Sequence, residues 1–194
     1  MKYRRFVISE AAGCLFIWGT AALLHSVYDL SRGGTLAVIF GAVNESVWEH
    51  VKIITAAYIG YALLQLLWIK VPFRGYVAAK CCGLYITAGG VICISYLMNA
   101  SGAGVTLTSI TATILPVAAA QLTSYRLTVY CPSIGDFFLP AVLMLMLYYL
   151  MFFSFTAFPP RTDLFRDPTT GGYGIAGRFV ESTVSPGESV DKIL

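Results

Sequence analysis

Charge is scarce in this sequence. Asp, Glu, Lys and Arg make up 12% of its 194 residues, against 57% hydrophobic residues, and mean hydropathy is +0.73. A soluble globule is about a quarter charged, so this composition excludes an ordinary water-facing surface and fits a lipid-facing one. The net charge is only +3, and no basic patch suggests nucleic acid. Histidine is rarer still, with two residues in the chain. There is no CxxC pair, no HExxH, no Ser-His-Asp order, no phosphate loop, no dinucleotide fingerprint and no internal repeat. These absences exclude the common metalloprotease, serine hydrolase and nucleotide-binding signatures. The five cysteines, Cys14, Cys81, Cys82, Cys93 and Cys131, read as small hydrophobes rather than a disulfide framework.

Long apolar runs are what the chain has in abundance. A spanning helix needs about 20 mostly apolar residues. Stretches at 6–28, 44–69, 75–98, 105–122 and 133–158 meet that need. The expectation is all-α, a five-span membrane bundle over 1–158 in contact with the lipid bilayer, with a polar tail over 159–194. The first stretch is too long for a signal h-region and reads as an uncleaved span. Pro116 predicts a kink or local unwinding in the fourth span. Residues 35–43 are apolar but too short to cross, and predict a shallow re-entrant dip or an extension of the second helix. The tail is Pro- and Gly-rich, and from Glu181 its composition reads as disordered.

Basic residues predict orientation. Lys2, Arg4, Arg5, Lys70, Arg74, Lys80 and Arg126 fall on one side of a five-span chain. That places the N-terminus inside and the C-terminal tail outside. Glu10, Lys80, Arg126 and Asp136 read as interfacial ion pairs or snorkelling side chains near the inner face. Gln65 is expected to hydrogen-bond to another helix.

One constellation carries chemistry. The end of the first span holds His25, Tyr28 and Asp29, and the start of the second holds Asn44, Glu45, Ser46, Glu49, His50 and Lys52. Sequential antiparallel spans bring these two ends to the same membrane face. Asn44 is a good N-cap and Glu45 suits a first turn, and Trp48 fits an interfacial belt. Glu49 and His50 need another explanation, and two glutamates four residues apart call for a positive neighbour. That neighbour is Lys52, Arg32, a protonated histidine, a shared proton or a metal ion. A metal, zinc for instance, would take His25, Glu45, Glu49 and His50 as ligands. A metal-free ion-pair network and an ion-coupled transport site remain open.

The segment Val43-Asn44-Glu45-Ser46-Val47-Trp48-Glu49-His50-Val51-Lys52 resembles a family of small bacterial multi-pass membrane proteins of unknown function, marked by VNESxWEHxK after a His-x-x-Tyr element. His25 and Tyr28 match that element, and the tail from Pro159 to Gly174 is similar to the family's ending. The resemblance implies a bacterial cytoplasmic membrane and supplies no activity. Three functions stay open. One is a binding or transport protein whose small-molecule, lipid or ion ligand sits in the His–carboxylate pocket. Another is a metal-dependent hydrolase with Glu49 as general base on a bound water. In the last, the network only locks helices together.

Overall fold

A computed structural model describes residues 3–175 apart from residue 103, so the segment expected to be disordered lies outside the described residues. The chain is all-helical, without a named strand among those residues: α1 (Arg4–Leu30), α2 (Thr35–Phe40), α3 (Val47–Gln65), α4 (Phe73–Ala100), α5 (Val105–Tyr130), a 3-10 turn (Pro132–Phe137) and α6 (Phe138–Ala157). Three helical segments, Arg4–Leu30, Phe73–Ala100 and Pro132–Ala157, are long and apolar enough to cross a membrane. The helices α3 and α5 are not among them. Polar side chains dilute both: Glu49, His50, Lys52 and Gln65 in α3, and a run of threonines with Gln121, Ser124 and Arg126 in α5.

Large apolar side chains face outward, and several charged and polar ones lie inside beside the apolar core. Leu15, Leu23, Leu63, Leu67, Met146 and Leu150 face outward, whereas Glu10, Glu49, Lys52, Lys80, Gln65 and Gln121 are buried. The core around α3 holds Ile17, Ile54, Tyr58, Leu84 and Val117. Glycines let the helices approach. A Cβ on Gly83 would collide with the Tyr58 hydroxyl, and one on Gly13 with Gln121 and the Tyr61 ring. Pro116 sits inside an unbroken α5 rather than at an unwound turn. Gly90 makes room for it, since a Cβ there would lie 2.8 Å from the Pro116 ring.

Residues 35–40 form a separate short helix rather than an extension of α3. Gly41 then passes so close to α1 that a Cβ would strike Val27 and lie 3.0 Å from the Leu24 carbonyl. Two groups of α3 hold this turn. Glu49 Oε2 accepts from Val43 N at 2.9 Å, and Lys52 Nζ donates to Val38 O at 3.1 Å.

Glu10 and Lys80 form an ion pair and do not snorkel to water, since both side chains are buried. They pair inside the bundle at 2.8 Å. Gln121 Oε1 accepts from Lys80 at 2.9 Å, and its amide donates to the Glu10 carbonyl at 3.2 Å. Beside them Gln65 donates to Ser9 Oγ at 2.9 Å and accepts from Tyr76 at 2.9 Å, while the Tyr61 hydroxyl bonds to Ser9. Removed from water, charges need partners of this kind.

Candidate functional site

The site lies where the end of α1 meets the start of α3. The segment 41–46 reverses the chain there. Asn44 is not the helix cap: its Oδ1 accepts from Ser46 N at 2.9 Å, closing an Asx-type turn. Ser46 caps α3 instead, with its hydroxyl accepting from Glu49 N at 3.4 Å. Glu45 therefore precedes the helix, and the i,i+4 helical relation to Glu49 does not exist. Their carboxylates go opposite ways. Glu49 is buried and pairs with Lys52 Nζ at 2.7 Å. Glu45 is exposed and turns toward the two imidazoles.

His25 Nε2 lies 3.5 Å from Glu45 Oε2, and His50 Nε2 lies 3.9 Å from the same oxygen. The two imidazole rings are 5.3 Å apart, centre to centre. One ligand atom from each of His25, Glu45 and His50 falls within 4.8 Å of the others. His50 Nδ1 is 3.0 Å from the Ser46 carbonyl oxygen. A carbonyl carries no proton, so Nδ1 donates, and Nε2 is the ring nitrogen that faces Glu45. A backbone acceptor behind an imidazole is the usual arrangement for a metal-binding histidine. The hydrogen bond with His25, together with the charge of both imidazoles when protonated, holds the Glu45 carboxyl below the usual glutamate range.

The other expected site residues lie elsewhere. Tyr28 and Asp29 line a separate cavity with Arg32, Gly33, Val38 and Ile175. Lys52 serves the Glu49 pair and the α2 turn. Trp48 is buried, with Phe155 and Phe165 packed on it at 5.2 and 5.3 Å.

A cavity of about 480 Å³ opens beside the cluster, lined by Trp18, Ala21, Ala22, Ile53 and Ile110 with His25, Glu45 and His50. A second, of about 530 Å³, shares Glu45, His50, Ser109 and Thr113 and is roofed by the tail. The tail is docked by Leu164 O, which accepts from Trp48 N at 3.0 Å, and by Gly174 O, which accepts from Asn44 Nδ2 at 3.3 Å. An isolated antiparallel bridge between Arg166 and Tyr173 closes the loop. Within it, burial raises the Asp167 carboxyl, yet hydrogen bonds from Thr169 and Thr170 outweigh that and leave it below the usual aspartate range. The apolar anchors and tight-turn residues of this segment predict a tail that packs, with Arg161 or Arg166 over the acidic cluster. Arg166 lines the cavity with Glu45, and Phe165 and Leu164 meeting Trp48 set its position.

The described part of the tail matters to identity as well, since a family match runs through it. The chain belongs to DUF6512, a family of unknown function, which covers residues 2–175. Membership thus extends over all six helices and the roof of the site, and assigns no activity to them. No curated protein and no solved structure gives a significant match.

Proposed function

We propose that this DUF6512 member is an integral membrane protein that holds a divalent metal ion, zinc by ligand type, between His25, Glu45 and His50, and presents it to a bound ligand. The convergence of the three ligand atoms supports this reading most. Ligands about 2.0–2.1 Å from a tetrahedral zinc stand roughly 3.4 Å from one another. The separations of 3.5 and 3.9 Å from Glu45 approach that spacing. A three-ligand shell facing a cavity leaves a coordination position for water or ligand.

The membrane setting rests on the apolar helices and on the many large apolar side chains that face outward. The helices α1, α3, α4, α5 and α6 alternate in direction, so each is a crossing in this reading. The 19 residues of α3 extend about 28 Å, close to the roughly 30 Å hydrocarbon thickness. Its polar groups are enclosed by the other helices. The basic residues favour an N-terminus inside, and with it the metal cluster and its tail roof on the outer side.

Metal-assisted hydrolysis is the second reading, favoured by the open side of the shell. In it the metal would lower the pKa of a bound water, and Glu49, committed to Lys52, would not be the base. A transport path has less support, because the core between the cluster and the Glu10–Lys80 pair contains Ile17, Ala21 and Ile54. Metal analysis of the detergent-purified full chain tests the proposal. Wild type should retain about one zinc per chain, and His25→Ala and His50→Ala less than a tenth of that. A folded wild type that retains no zinc, cobalt or manganese contradicts it.

A further inference from the structure

The two cavities differ in character, and they meet at the cluster. One runs between α1 and α5, against Trp18, Ala22 and Ile110, all exposed on the outer surface of the bundle. In a bilayer this side opens onto acyl chains. The other runs under the tail and carries Asp163, Arg166, Ser95, Asn99 and Thr169. Each has the volume of a small-molecule site, typically about 300–1,000 Å³. Glu45, His50, Ser109 and Thr113 line both, so one molecule that occupies the two arms passes beside the metal ligands.

We propose that the pair forms a single cleft for an amphiphile with a phosphate-bearing head group that also carries an amine. The acyl part lies between α1 and α5, and the head group lies under the tail loop. This assignment rests on the metal reading above for the group at the junction, and on Arg166 and Asp163 for the head. A phosphate oxygen suits Arg166 and a divalent ion, since both offer positive charge to anionic oxygens. Asp163 stands on the same wall with the opposite sign, and no ion pair joins it to Arg166 among the described residues. An ammonium next to the phosphate answers that second charge. A purely anionic head group leaves Asp163 facing like charge, and a purely apolar ligand leaves both charges unanswered. The roof is fixed in place by its bonds to Trp48 and Asn44, so Arg166 and Asp163 are held over the cavity rather than on a free end.

Calorimetric titration of the zinc-loaded full chain in amphipol tests the proposal. The probes are dihexanoyl phosphatidylethanolamine, dihexanoyl phosphatidic acid, dihexanoylglycerol and inorganic phosphate. Phosphatidylethanolamine should bind at least ten-fold tighter than dihexanoylglycerol or inorganic phosphate. Arg166→Gln should weaken it by about ten-fold, as expected for loss of a charge-assisted contact. Asp163→Asn should bring it down to the level of phosphatidic acid, and Ala22→Trp, which fills the apolar arm, should weaken both lipids while leaving inorganic phosphate unchanged. Equal binding of inorganic phosphate or dihexanoylglycerol overturns the proposal. So does an Arg166→Gln variant that retains full affinity, and an unaltered preference in Asp163→Asn removes the amine. Zinc content measured on the same samples separates the two readings. Zinc-free wild type with an Arg166-dependent preference keeps the cleft and removes the metal. Zinc-loaded protein indifferent to the head group keeps the metal and removes the cleft.

Discussion

His50 donates from Nδ1 to the carbonyl oxygen of Ser46, four residues earlier, at 3.0 Å. The residue that caps α3 with its hydroxyl therefore also aims an imidazole with its carbonyl. Nε2 is left facing Glu45, and through it His25. Helix start and candidate metal ligand are one local structure, which is why the polar run 44–50 can serve both.

The clip made by Glu49 and Lys52 has a different job from the cluster beside it. It bonds the 38–43 turn and is fully enclosed. Lys52→Met leaves Glu49 buried without its partner and should cost about 3–5 kcal/mol. The double variant Glu49→Gln with Lys52→Met should recover part of that loss. Thermal unfolding in detergent measures both, and the folded fraction should still bind zinc.

A second buried pair, Glu10 with Lys80, ties α1 to α4 and reaches α5 through Gln121. Removing one charge by Lys80→Met should destabilise by a similar amount, about 3–5 kcal/mol. Zinc affinity of the folded fraction should stay within two-fold of wild type. A large fall in zinc affinity would mean that the two polar regions are coupled.

Much of this arrangement is legible in the sequence, and the illegible part has physical causes. Apolar length marks α1, α4 and the 132–157 segment as candidate spans. The polar run 44–52 stands out because charged residues are rare elsewhere. The partition inside that run is not readable. Helical spacing puts Glu45 and Glu49 on one face only if the helix has begun by Glu45, and it begins after Ser46. That small shift sends one carboxylate into the core and the other to the histidines. Asp29 shares helical spacing with His25, yet it lines a cavity with Arg32. The depth of Glu10 and Lys80 was likewise hidden, because position along a span does not say which way a side chain faces.

The tail roof should be sensitive to acid. Asp167 sits below the usual aspartate range and accepts from Thr169 N and Oγ1 at 2.8 and 2.7 Å. A carboxyl whose folded value lies below its unfolded one contributes stability at pH above the unfolded value. That contribution is lost as pH falls through the folded value. Hydrogen exchange of amides 165–173 should therefore show protection at pH 7 that weakens below the usual aspartate range. Asp167→Asn should reduce the pH dependence of that protection.

Close packing of α3 on α4 depends on Gly83. Its Cβ would run into the Tyr58 hydroxyl and come within 3.2 Å of the Ala120 carbonyl. Gly83→Ala should cost about 1–3 kcal/mol by overpacking, read as a lower melting temperature. Tyr58→Phe in the same chain should recover part of it, because the hydroxyl has no hydrogen-bond partner among the described residues.

X-ray absorption at the zinc edge of the metal-loaded full chain tests the central claim most directly. The account predicts two imidazole ligands, visible as outer-ring scattering, with a carboxylate and a solvent oxygen completing four light scatterers at about 2.0–2.1 Å. His50→Ala should lose that pattern. A shell of oxygens alone, or one containing sulfur, would contradict a site built from His25, Glu45 and His50.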